Sequence, residues 1–108
     1  MIMTKELFEL KEIIVKSIPI EKLYLFGSFA YGTPQKDSDF DFYAVIPNGS
    51  IDPGDAIDDI YLSIGRIKNR PVDILAGTRE IFERRSKHNT LERTIAKKGV
   101  VLYDNAEW

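Results

Sequence analysis

Leu25-Phe26-Gly27-Ser28-Phe29-Ala30-Tyr31-Gly32-Thr33-Pro34-Gln35-Lys36-Asp37-Ser38-Asp39-Phe40-Asp41-Phe42 is the stretch from which the rest of the chain can be placed. The apolar run from Leu23 to Phe26 is short and bounded by turn residues, which is the pattern of a buried strand. Gly27-Ser28 then stands where a strand passes into a helix. Glycine lets the backbone approach a ligand closely, and Ser28 is expected to cap the next helical turn, where free N–H groups and a partial positive charge suit a phosphate. Ten residues separate Ser28 from Asp39-Phe40-Asp41, and the following Phe42-Tyr43-Ala44-Val45-Ile46 is aromatic and β-branched, the composition of a strand. Strand periodicity puts Asp39 and Asp41 on one face, with Cα atoms roughly 6.5–7 Å apart, and turns Phe40 and Phe42 toward a core. Adjacent carboxylates repel, so one of them holds a proton unless a cation neutralises the pair. Beside a phosphate turn, that cation is expected to be Mg²⁺, which prefers carboxylate, water and phosphate oxygens.

With these residues in view, the chain resembles the DNA polymerase beta nucleotidyltransferase superfamily, and within it the stand-alone minimal nucleotidyltransferases. The resemblance rests on Gly27-Ser28, the spacer and Asp39-x-Asp41, and extends to Leu25-Phe26, Gly32-Thr33, Ser38 and Pro71-Val72-Asp73-Ile74-Leu75. It covers nearly the whole chain. It implies metal-dependent transfer of a nucleoside monophosphate from a nucleotide triphosphate, with ATP favoured, to an acceptor hydroxyl. Phe29 and Tyr31 depart from the family pattern, in which basic residues are common at these two positions.

The 108 residues are 44% hydrophobic and 30% charged, the composition of one globular domain spanning residues 1–108. No apolar run approaches the roughly 18 residues of a membrane span, and Met1-Ile2-Met3-Thr4-Lys5-Glu6 lacks a signal-peptide pattern, so a cytoplasmic location is expected. With no cysteine and one histidine, thiolate zinc sites and histidine clusters are excluded within the chain, leaving carboxylates as metal ligands. A net charge of -2 argues against an overall electrostatic grip on nucleic acid.

In chain order, residues 4–17 read as an amphipathic helix with Leu7, Leu10, Ile13 and Ile14 on its packed face, ended by Pro19. Strand 22–26, the turn, and a short helix over 28–31 follow. After the acidic strand come two turn clusters, Pro47-Asn48-Gly49-Ser50 and Asp52-Pro53-Gly54-Asp55, and then a helix over 55–67 carrying Ala56, Ile57, Ile60, Tyr61, Ile64 and Ile67. Its Asp55, Asp58 and Asp59 read as a solvated acidic turn rather than a metal cluster. Pro71 precedes a strand over 72–76, in which Asp73 faces away from Val72 and Ile74. Asp73 is either a charge guarding a sheet edge or a third carboxylate of the site. Residues 78–87 and 90–98 read as two charged helices, with Asn89 as the cap of the second, His88 on the surface between them, Gly99 as a C-terminal cap and a last strand over 100–103. The fold class is therefore α/β in the broad sense (α+β): a small mixed sheet of about four strands covered by helices.

The resemblance implies that Asp39, Asp41 and Asp73 are catalytic and hold two Mg²⁺ ions about 3.5–4 Å apart, with Mn²⁺ as an alternative, while Gly27 and Ser28 grip the phosphates that leave. By the same resemblance Asp73 activates the acceptor hydroxyl. A single small domain does not enclose an acceptor, so a homodimer or a separate partner is expected to complete the site, with the aromatic tail from Tyr103 to Trp108 as a contact surface. Small members of the resemblance act as antitoxins that attach AMP to a HEPN-domain toxin, which makes a protein hydroxyl the leading acceptor. The alternatives are transfer to a small molecule of aminoglycoside type, and a binding module without catalysis. Retention of all three acids argues against the last.

Overall fold

A computed structural model describes residues 3–34, 38–65, 67 and 69–105. Helix α1 (Lys5–Ser17) is capped by Thr4, whose hydroxyl accepts from Leu7 N at 3.1 Å, and it buries Leu7, Leu10 and Ile14. Strand β1 (Lys22–Phe26), the one-turn helix α2 (Ser28–Tyr31) and strand β2 (Phe40–Ile46) follow. Helix α3 (Pro53–Ile64) begins two residues earlier than periodicity predicts and ends three residues sooner. Asp52 is the reason for the early start. Its carboxylate accepts from Gly54 N at 2.9 Å and Asp55 N at 3.3 Å, and Pro53 fits the first helical turn, where its missing N–H costs nothing.

Strand β3 (Val72–Thr78), helices α4 (Arg79–Ser86) and α5 (Leu91–Lys98), and strand β4 (Val100–Asp104) complete the chain. The cap of α5 is Thr90, not Asn89: Thr90 Oγ1 accepts from Arg93 N at 3.2 Å. His88 is exposed between the two helices, as expected.

The four strands form one mixed sheet in the order β3-β2-β1-β4, with β1 antiparallel to β2 and β4, and β2 parallel to β3. A parallel neighbour cannot be reached by a hairpin, and α3 supplies the crossover. The central strand β2 is covered on both faces. Phe40, Phe42, Ala44 and Ile46 join Leu7, Leu10, Ile14, Ile60 and Ile64 under α1 and α3. Tyr43 and Val45 point the other way, to Tyr24, Phe82 and Ile95 under α4 and α5. Phe82 stacks on Tyr24 at 5.4 Å and meets the edge of Tyr43 at 5.2 Å between ring centroids. Asp41 shares this second face with Tyr43 and Val45 and is half-buried where they are buried.

The expected aromatic tail divides. Tyr103 is half-buried against the larger core rather than exposed, and residues 106–108 lie outside those described. Gln35, Lys36 and Asp37 of the deciding stretch lie outside them too. No helix among the described residues is long and apolar enough to cross a membrane.

Candidate active site

Gly27 closes β1 with φ 76° and ψ -161°, a backbone region that only glycine occupies at low cost. A Cβ at this position would also overlap Oδ2 of Asp41. Two constraints thus select the same residue, and the second shows that the turn and the acidic strand are in direct contact. Strand pairing explains the contact: Phe26, the residue before Gly27, stands opposite Asp41 in the β1–β2 ladder.

Gly27, rather than Ser28, holds the N-cap position of α2, with no side-chain cap hydrogen bond. Ser28 is the first helical residue. Gly27 O accepts from Ala30 N at 3.1 Å and Tyr31 N at 3.0 Å, and Gly32, at φ 80°, ends the turn with its N–H on Ser28 O. Helix geometry leaves the N–H groups of Ser28 and Phe29 without an acceptor inside so short a helix.

Asp41 and Asp73 are register partners in the parallel β2–β3 ladder, and parallel partners project to the same side of a sheet. Their carboxyl groups come within hydrogen-bonding range. Asp73 therefore fits both readings made from the sequence: it stands on the edge strand, and it faces Asp41. Asp39 lies one residue before β2 begins, outside the ladder, and its charge still reaches Asp41. Partial burial, then the charge of Asp73, its hydrogen bond, and the charge of Asp39 push the Asp41 carboxyl up to about 6 from its ordinary 3.8. Among the described residues, no three acidic or histidine side chains close around a common point as a ready-made metal cage. The close pair is Asp41 and Asp73, half-buried and exposed respectively, against the Gly27 turn.

The nucleotidyltransferase domain model matches residues 7–102, from the first helix into the last strand. The chain belongs to that family. Solved structures share its fold at low identity. A toxin–antitoxin structure with AMP-PNP superposes with a TM-score of 0.67 at 19% identity, over 94% of this chain and 74% of that one. A protein from Sulfolobus solfataricus assigned as a nucleotidyltransferase gives 0.59 at 21% identity, over 94% and 79%. A mutant of the toxin–antitoxin pair MntA-HpeT gives 0.65 at 15%, over 94% and 74%. No curated protein matches the chain.

This nucleotidyltransferase domain also contains a buried polar group that nothing in the sequence marks. Glu92 looks like one more surface charge of α5, yet it is buried: Oε2 accepts from the Tyr43 hydroxyl at 3.2 Å and pairs with Arg85 Nε at 3.0 Å. Its Oε1 is buried without a hydrogen-bond partner among the described residues. Burial, and then the nearby Glu92 charge, push the Tyr43 hydroxyl well above its ordinary range. Tyr43 is two residues from Asp41 on the same face, so this network braces the strand that carries the acid. A buried glutamate needs its partners in space, and those lie on β2 and α4.

Proposed function

We propose that the domain transfers a nucleoside monophosphate, AMP from ATP, to a hydroxyl of a partner protein, with Mg²⁺ or Mn²⁺ held by Asp41, Asp73 and Asp39. The observation that carries this reading is the contact between Gly27 and Asp41. It brings a phosphate-type turn against a crowded carboxylate pair, and each feature accounts for the other. The donor set is all carboxylate, and Asp41 resists ionisation without a counter-charge, which fits a hard divalent cation completing its coordination with substrate oxygens. Family membership and a fold shared with a toxin–antitoxin structure holding AMP-PNP, an ATP analogue, support both the nucleotide and a protein acceptor.

The bound metal would neutralise triphosphate charge and lower the pKa of the acceptor hydroxyl. The chain's own groups do the rest. The N–H groups of Ser28 and Phe29 and the Ser28 hydroxyl hold the β- and γ-phosphates, and Gly27 lets them approach the backbone. Asp73, exposed on the edge strand, faces the acceptor and takes its proton as the hydroxyl oxygen bonds to the α-phosphorus. The bond to the β-phosphate oxygen breaks, and pyrophosphate leaves from the turn. Only transfer of this kind leaves AMP covalently on the acceptor.

The test is incubation with ATP and Mg²⁺ beside a candidate partner, above all a HEPN-domain toxin encoded next to it, followed by intact-mass measurement. A gain of one or more AMP masses on the partner is expected. A partner that stays unmodified while a small hydroxylated molecule is labelled would move the acceptor to the small-molecule class. If no acceptor is labelled and ATP does not bind, the transfer reading fails.

A further inference from the structure

Asp39 has no place in the β2–β3 ladder, so something outside the sheet must set its direction. The residues on either side of it are both held by one short segment, Arg70-Pro71, that leads into β3. Pro71 O accepts from Phe40 N at 3.1 Å, and Arg70 Nη1 donates to Ser38 O at 3.4 Å. The Arg70 guanidinium also lies 4.8 Å from the centroid of the Phe40 ring and 5.0 Å from that of Phe29. Phe29 follows Ser28 in α2, and the two rings touch, with centroids 4.6 Å apart. One side chain therefore contacts both neighbours of Asp39 and the residue next to Ser28. Glu6 of α1 holds this segment from behind: Oε1 accepts from Arg70 Nε at 3.2 Å and Oε2 from Asn69 N at 3.0 Å.

We infer that Arg70 is a positioning residue that sets the acidic strand entry and the phosphate turn relative to each other, with Glu6 as its anchor. The inference rests on the proposed function for its meaning and on the contacts for its geometry. Only arginine suits the place: its planar group offers edge donors to Glu6 and the Ser38 carbonyl while its faces meet two aromatic rings, whereas lysine is a point charge without a face. The departure at Phe29 becomes intelligible in these terms, because an aromatic ring there gives the guanidinium a surface to stack on.

The experiment uses Arg70→Lys, which keeps the charge, and Glu6→Gln, which loosens the anchor while leaving an acceptor. Amide hydrogen exchange on the metal-free chain is read for peptides 26–31, 38–42 and 79–98. Mn²⁺ binding is read by titration calorimetry in the presence of an ATP analogue with a methylene bridge between its α- and β-phosphates. For Arg70→Lys, exchange in the first two peptides is expected to rise about tenfold while α4 and α5 stay unchanged. Mn²⁺ affinity is expected to fall about 10–100-fold, the usual effect of removing support behind a metal ligand. Glu6→Gln moves the same two peptides by less. The inference is overturned if exchange is unchanged in either segment, if all three peptides loosen together as for general destabilisation, or if Mn²⁺ affinity stays within twofold of wild type. A wild-type chain that itself binds no Mn²⁺ removes the proposed function, and the exchange result then decides the geometric claim alone.

Discussion

Replacing Asp41 by asparagine separates the electrostatic cost of this site from its use. In the metal-free chain Asp41 is pushed up to about 6 by burial and by the two neighbouring carboxylates. A raised acid contributes stability that is complete below its unfolded value, near 3.8, and is lost as pH rises through 6. A shift of that size corresponds to about 3 kcal/mol if unscreened; Asp41 is only half-buried, and solvent screening reduces the stability effect to about 1–2 kcal/mol. Asp41→Asn cannot ionise. The difference in stability between Asp41→Asn and wild type should therefore shift by about 1–2 kcal/mol in favour of the mutant between pH 4 and pH 7.5, or about 4–8 °C in melting temperature per kcal/mol. The assay is thermal unfolding across this range in chelator, repeated with excess Mg²⁺ or Mn²⁺. Metal should stabilise wild type at pH 7.5, as any ligand selective for the folded state does, and leave the mutant unmoved. A stability difference that is flat with pH would refute the crowding of Asp41 by acids. An equal metal-induced gain in mutant and wild type would refute its role as a ligand.

Gly27→Ala should lose about 1–3 kcal/mol from its backbone angles alone, more once the overlap with Asp41 is added, and should abolish metal-dependent nucleotide binding; denaturant unfolding and calorimetry read the two effects separately. Asp73→Asn should lower turnover by several orders of magnitude while triphosphate binding survives, since its part is played at the acceptor; wild-type turnover with a labelled triphosphate would return Asp73 to the role of an edge charge. Tyr43→Phe leaves Glu92 buried with Arg85 as its remaining partner and should cost about 1–3 kcal/mol in denaturant unfolding, with little effect on nucleotide affinity.

The strands, the helices that cover them and the two halves of the site were legible because each rests on a local pattern. Apolar periodicity over residues 4–17, alternation in β2, and glycine followed by serine after an apolar run are properties of neighbouring residues. Helix boundaries were less legible because caps compete within a residue or two. Asp52 rather than Asp55 opens α3, Thr90 rather than Asn89 opens α5, and Gly27 rather than Ser28 opens α2. In each case the residue that wins has the extended or left-handed backbone that the approaching chain imposes.

By itself the sequence determined that a turn rich in backbone donors and an Asp-x-Asp pair lie close together in a small α/β chain with no cysteine and a single histidine, which leaves carboxylates as its metal ligands. It could not decide whether Asp73 guarded an edge or joined the pair. What tertiary structure added is the juxtaposition: parallel pairing of β2 with β3 in this one register sets Asp73 beside Asp41, and a one-residue slip would have turned it to the opposite face. The same holds for Arg70 and Glu92. Their partners Glu6, Ser38 and Phe29 in the first case, and Tyr43 in the second, are distant in sequence, and only the folded chain makes a surface charge into a buried or bracing one.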